Sequence, residues 1–320
     1  MTRNFYLALY MVVAALPAAR AAGPRMASAP IELPPLVQPA SGETHPGKVI
    51  WADLVTPDLK QAEQFYGALF GWTFEPIDGD NNFAIALNAG QPVAGIVQRA
   101  IKAGQQRQPA WLTFIAVRDV AAAQRSALAN GGKVLSAPKD YAQRGRQAVF
   151  ADPDGAVFAV LASSSGDPPD VLAEPGEWIW SSLLVKNTDH ETGFYRALFG
   201  YDVFDLPPED AADNSHHVIL ASDDYARAGV HSLPADSVHR HPHWLNFIRV
   251  DDAAAVAVKA IALGGKVLVE PRVDRHGGQL AVIADPSGAP IGVMEWSGTE
   301  EAGAAAGDQP DLPGAQKEAP

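Results

Sequence analysis

The sequence predicts an α+β fold of two tandem domains, each built from a pair of βαβββ modules. Three observations carry this. A helical stripe is written twice, as Phe65-Tyr66-Gly67-Ala68-Leu69-Phe70-Gly71 and as Phe194-Tyr195-Arg196-Ala197-Leu198-Phe199-Gly200. A tryptophan precedes each copy by 14 residues, Trp51 in one case and Trp180 in the other. Trp111-Leu112-Thr113-Phe114-Ile115, Gly131-Gly132-Lys133-Val134-Leu135 and Asp152-Pro153-Asp154-Gly155 return 133 residues later, beginning at Trp244, Gly264 and Asp285. A period that long marks a duplicated domain, since solenoid units run to about 20–50 residues.

Each element follows from its local pattern. Lys48 to Val55 is β-like, and Thr56-Pro57-Asp58 offers a capping hydroxyl and a proline suited to the first helical position. Leu59, Ala62, Phe65, Tyr66, Leu69 and Phe70 then recur at helical spacing as one apolar face. Gly71 stops that helix in the left-handed conformation that glycine adopts at little cost. In the second copy Thr188 and Glu191 form a capping box and Gly200 is the stop. Strands are expected at Thr73 to Ile77, Phe83 to Leu87 and Pro92 to Val97, with a hairpin at Asn88-Ala89-Gly90-Gln91. The second module reads as strand Trp111 to Val117, helix Asp119 to Asn130, and strands Lys133 to Leu135, Gln147 to Ala151 and Val157 to Leu161. On this spacing the Phe-Tyr stripe is a packing face, and its tyrosines are structural.

Composition narrows the function. A net charge of −13 argues against a nucleic-acid partner, which needs clustered Lys and Arg. Cysteine is absent, so disulfides, thiolate nucleophiles and cysteine metal sites are excluded. Residues 1–22 read as a signal peptide: Arg3, a nearly continuous apolar run from Phe5 to Leu16, then the small-residue pattern Ala19-Arg20-Ala21. That run is short for a bilayer span of about 20 residues, so an exported protein, periplasmic or secreted and without an integral membrane domain after cleavage, is expected. Residues 23–46, with six prolines, read as a tether. Domain one is placed at 47–162, a linker at 163–176, domain two at 177–296 and a disordered tail at 297–320.

Trp51, Leu54, Asp58, Ala62 and Phe65-Tyr66, running into Leu69-Phe70-Gly71-Trp72, together with the Gly-Gly after the second helix and the Asp-Pro-Asp-Gly turn, resemble the vicinal oxygen chelate superfamily. That group holds glyoxalases, bleomycin-resistance proteins and extradiol dioxygenases, and the likeness is strongest to its two-domain, glyoxalase-like "hydroxylase" members. The resemblance implies open cup-shaped sheets with helices outside and the ligand inside. In enzymes of the group a divalent metal in the cup chelates adjacent substrate oxygens, which is Lewis-acid chemistry. Its ligands are a His or Gln on the first strand of each module and a Glu on the last strand of the pair. Here those positions read Trp51, Leu112 and Ala159 in domain one, and Trp180, Leu245 and Gly292 in domain two. None suits a divalent cation.

If the register follows the family, Trp51, Asp53 and Phe114 line the first cup, and Trp180, Ser182, Phe247, Arg249 and Met294 the second. This is an apolar, aromatic lining with a few polar groups, as small-molecule pockets have. Eight of the nine histidines fall in domain two. A hairpin turning at Asp223-Asp224 would set His216 opposite His231, and with His243 they could form a non-inherited site for zinc, iron or manganese. No carboxylate stands at ligand spacing, which favours histidines that ligate nothing. No catalytic residue is assigned. The leading reading is a metal-free binder of a small, partly apolar molecule, acting as monomer or homodimer. The alternatives are a metal-dependent lyase, isomerase or dioxygenase using those histidines, and a non-catalytic interaction scaffold.

Overall fold

The computed structural model describes residues 32–77, 80–100, 108–206, 216–233, 241–274 and 277–296. The expected signal segment, the start of the tether, His239 and the C-terminal tail lie outside the described residues. Domain one runs β1 (Val49–Thr56), α1 (Leu59–Phe70), β2 (Thr73–Ile77), β3 (Asp80–Asn88), β4 (Gln91–Gln98), then β5 (Ala110–Ala116), α2 (Val120–Ala129), β6 (Lys133–Tyr141), β7 (Gly145–Ala151) and β8 (Val157–Ser163). Domain two repeats it as β9 (Trp178–Val185), α3 (Thr188–Phe199), β10 (Asp202–Leu206), β11 (His217–Ser222), β12 (Tyr225–Ser232), then β13 (His243–Arg249), α4 (Ala253–Ala262), β14 (Lys266–Val273), β15 (Gln279–Ala284) and β16 (Pro290–Met294). No helix among the described residues is long and apolar enough to cross a membrane.

Each domain makes one eight-stranded sheet, in the orders β2-β3-β4-β1-β5-β8-β7-β6 and β10-β11-β12-β9-β13-β16-β15-β14. The modules therefore pair within a domain. Their first strands run antiparallel side by side, β1 on β5 and β9 on β13. The helix starts differ from the expected caps. Asp58 caps α1, accepting from the Gln61 amide, and Asn187 caps α3, accepting from the His190 amide. A carboxylate or amide oxygen at the residue just before the helix outcompetes the hydroxyls of Thr56 and Thr188. Gly71 and Gly200 end their helices at φ of 77° and 76°, as anticipated.

The helices lie outside each cup, yet they face the other domain. The two sheets stand back to back, with α1 and α4 filling one side of the junction and α2 and α3 the other. The motifs that repeat in the sequence meet there. Tyr66 donates to Asp285 at 3.1 Å and accepts from the Trp111 indole at 3.2 Å. Tyr195 donates to Asp152 at 3.1 Å and accepts from Trp244 at 3.0 Å. The other oxygen of each aspartate holds its own turn, Asp152 through Gly155 and Ala156 and Asp285 through Ser287 and Ala289. The paired glycines have a divided role. Gly131 and Gly264 take positive φ, whereas a Cβ on Gly132 or Gly265 would meet the ring of Phe194 or Phe65 at 2.9 Å. Between the clusters the equivalent residues Thr113 and Asn246 bond to each other, fully buried, and Ser181 adds a third bond to Asn246.

This arrangement predicts that Tyr66→Phe and Tyr195→Phe each destabilise the chain by about 2 kcal/mol, because an aspartate oxygen and an indole N–H are left buried without a partner. The two losses should add in the double variant, since the clusters share no residue. Urea denaturation of the three variants checks both statements.

Candidate functional site

Paired residues across a ladder share a face, so the register settles which side chains enter each cup. In domain one Trp51 pairs with Phe114, Asp53 with Leu112 and Gly95, and Phe114 with Ala159. All face the concave side, so Trp51, Asp53 and Phe114 stand together as expected. The Trp51 indole donates to Asp53 at 2.8 Å. Gly95 makes this possible, because a Cβ there would collide with the Asp53 carboxylate. The guanidinium of Arg144 stacks 4.1 Å above the Trp51 ring. Burial lowers the Arg144 pKa to about 10 against the opposing charge of Asp53. Burial likewise raises Asp53, more than Trp51, Arg144 and Arg99 lower it.

The first cup is also covered. Residues expected to belong to a loose tether instead pack Leu33 and Leu36 into the cluster of Trp51, Leu112 and Phe114. The amides of Leu36 and Val37 both donate to the Ser165 hydroxyl, at 3.0 and 3.1 Å. The linker holding Ser165 is equally ordered. Asp170 in it takes two bonds from the buried Arg227 of domain two, at 2.6 and 2.9 Å, and one contact from Lys48 at 2.8 Å.

In domain two Trp180 pairs with Phe247, Phe247 with Gly292, and Ser182 with Leu245 and Gly229. Trp180, Ser182, Phe247 and Met294 share the concave face. Phe247 lies over Gly292 so closely that no side chain fits at that position. Arg249, opposite Met294, is turned to the linker, where its head donates to the Ala173 carbonyl at 2.6 Å. The apolar cluster of Leu245, Phe247, Val282 and Met294 remains beside it.

The histidines require a correction. The hairpin does turn at Asp223-Asp224, both at positive φ, but a bulge between Leu220 and Ala221 shifts the register by one. His217, not His216, therefore faces His231, and their Nδ1 atoms lie 2.5 Å apart. His216 instead contacts Asp189 and Asp205. His231 pairs with Leu184 and Leu184 with His243, so His217, His231 and His243 form one row on the concave face. Gly229 makes room for the His231 ring.

The positions the superfamily uses for its metal do not fit one. Trp51, Leu112, Ala159, Trp180, Leu245 and Gly292 offer no imidazole or carboxylate. Glu295 is spent on structure, accepting from the amides of Ala253 and Gln279. A group with ligand atoms close enough to hold an ion is Asp154, His190 and Glu191, at the junction of the domains and outside both cups. Glu191 is fully buried with one oxygen 2.8 Å from His190 Nδ1, and burial beside Asp152 and Asp154 raises its pKa, which disfavours the carboxylate form a cation would need.

A family model described as a glyoxalase-like domain matches residues 50–161 and again 182–294. The chain belongs to the glyoxalase-like family. It is a member of the vicinal oxygen chelate superfamily with two tandem domains. A putative glyoxylase, CFP32, of Mycobacterium tuberculosis is 33% identical over 260 residues, covering 80% of this chain and 98% of that protein. The anthracycline biosynthesis protein DauV of a Streptomyces species is 33% identical over 263 residues, 78% of this chain and 94% of that one. Among solved structures, the Mn(II)-bound glyoxalase of Novosphingobium aromaticivorans superposes with a TM-score of 0.54 at 20% identity, over 79% of this chain and 83% of that one. The 2,2',3-trihydroxybiphenyl 1,2-dioxygenase of Sphingomonas wittichii gives 0.55 at 12%, over 78% and 91%. Both share the fold, and both are enzymes by name; the first carries a metal.

Sequence reasoning missed Arg144, His217 and the Leu33–Leu36 cover. Arg144 sits at a hairpin tip with no periodic pattern around it, and the bulge that brings in His217 has no local mark. Leu33 and Leu36 were read as part of the tether, and the one available signal was that they are apolar residues in a proline-rich run.

Glu191 makes a pH prediction with a definite sign. Its folded pKa is raised, so its contribution to stability is fully present below 4.5 and is lost as pH rises toward the folded value. The glyoxalase-family chain should therefore weaken between about pH 5 and 8 by up to about 1.4 kcal/mol per unit from this group. Glu191→Gln should flatten that slope and be the more stable form at pH 8, as denaturant titrations at the two pH values would read.

Proposed function

We propose that this glyoxalase-family chain binds a small, partly apolar molecule in its second cup, without a divalent ion at the positions the family uses. One observation carries the reading. At the centre of the cup Trp180, Leu245 and the Phe247 ring over Gly292 occupy the positions where relatives of metal-dependent type would place ligands. Aromatic faces with the Ser182 hydroxyl beside them suit a planar molecule held by stacking and one polar contact. The two anthracycline biosynthesis relatives support a multi-ring ligand as the class to try first. Export to the periplasm or medium belongs to the same proposal and is supported by Arg3 and the apolar run Phe5 to Leu16. So does the absence of a nucleic-acid partner, supported by the net charge of −13.

A second reading, a metal-dependent enzyme, is favoured by the row of His217, His231 and His243 on the same concave face. Imidazoles suit zinc, copper or iron. The two readings part on simple measurements. Under the first, purified protein carries no stoichiometric divalent metal, a planar aromatic ligand quenches tryptophan fluorescence, and Trp180→Ala weakens binding about tenfold. About one tightly held ion per chain, lost in His217→Ala with His231→Ala, would instead establish the second.

A further inference from the structure

We propose that Asp154, His190 and Glu191 form an exchangeable zinc site where the two domains meet, outside both cups, and that the ion ties the turn after β7 to the first turn of α3. A ligand atom of each residue lies within 4.8 Å of the other two. Asp154 belongs to domain one, and its Oδ2 accepts from the Lys186 amide of domain two at 3.3 Å. That contact holds it at the foot of α3, where His190 and Glu191 stand.

Glu191 is the first argument. Its side chain is completely buried, and among the described residues its Oε2 has no hydrogen-bond partner. Asp152 lies beside it, but the oxygens of Asp152 are taken by Gly155, Ala156 and Tyr195. The charges that act on Glu191 most, those of Asp152 and Asp154, are of its own sign. Buried carboxylates are normally paired or bound to a metal, and this one faces its ligand partners with an oxygen to spare.

Internal duplication is the second argument. At the other junction Gln61, Ala62 and Ser287 stand where His190, Glu191 and Asp154 stand here. Tyr66 and Asp285 meet there in the same way without any further carboxylate. Packing of the junction therefore does not require Glu191, and all three candidate ligands occur together on one side only.

The donor set names the ion. One imidazole and two carboxylates are ligands that zinc takes, with water completing its four-coordination. His190 is 58% exposed, so the ion has a path from solvent and a side chain free to swing onto it. The ion supplies the opposite charge that the buried Glu191 lacks. It must displace the proton that burial favours there, so it is held loosely and is lost on purification unless zinc is supplied. This site rests on neither reading of the second cup.

The test is calorimetric titration of the full chain with zinc chloride, in a His217→Ala/His231→Ala background that removes the imidazole row of the second cup. One zinc ion per chain should bind. Glu191→Gln and Asp154→Asn, each added to that background, should weaken it about tenfold or more. Zinc should also raise the urea midpoint of the background protein and leave that of its Glu191→Gln form unchanged, because the ion joins two domains only in the folded chain. No uptake, or uptake that Glu191→Gln leaves intact, would overturn the proposal. Uptake without a rise in the midpoint would do the same, as the mark of an ion adventitiously bound at the surface. Should the background not fold, wild type decides, since Glu191→Gln must then remove one equivalent of zinc. Glu191→Ala, which copies the other junction, replaces Glu191→Gln if that form is unstable.

Discussion

The structure depends on a hydrogen bond made twice, from a helix tyrosine of one domain to the turn aspartate of the other. Tyr66 reaches Asp285 and Tyr195 reaches Asp152, each buried, with a tryptophan N–H completing the tyrosine oxygen. Such a bond is strong where water is excluded, and it fixes distance and angle between two surfaces that would otherwise slide on oily contacts. Burial holds both phenols protonated, so they act as donors throughout the working pH range. The neighbouring glycines serve the same junction, by leaving space for Phe65 and Phe194.

Placing the helices at the junction has a consequence for chemistry. It turns both concave faces outward and leaves them independent, so each cup could change without disturbing the other. They have changed. The first carries Asp53 and Arg144 against Trp51 and lies beneath Leu33 and Leu36, while the second carries a row of imidazoles beside an apolar centre. The duplicated core shows no such drift. Its Tyr, Asp and Trp stand at matching positions in both halves, apart from Glu191, which faces Asp152 where the other half has Ala62.

Much of the fold was legible in the sequence, because repeated spacing is a direct image of repeated packing. The order of strands and helices and the glycine stops follow from period two and period 3.6 patterns, while the concave placement of Trp51, Asp53, Phe114, Trp180, Ser182, Phe247 and Met294 was what the family resemblance implied. Register within a hairpin was not legible, since one bulge near Arg227 exchanged His216 for His217. Arg249 shows a different limit. Its position on the strand was readable, but its head follows the Ala173 carbonyl, which belongs to a linker the pattern describes only as irregular.

By itself the sequence determined the modules, their doubling and the apolar character of the positions where the superfamily holds a metal. These are properties of local spacing and residue type. Tertiary structure alone decided that the repeated motifs join the two domains, that Arg144 stacks over Trp51 beside Asp53, and that Leu33 and Leu36 fill the first cup. The two junction bonds link residues 43 and 219 positions apart in the chain, and Arg144 reaches Trp51 from a different hairpin. They arise from how two sheets and their flanking segments come to rest on each other, and no short-range pattern encodes that.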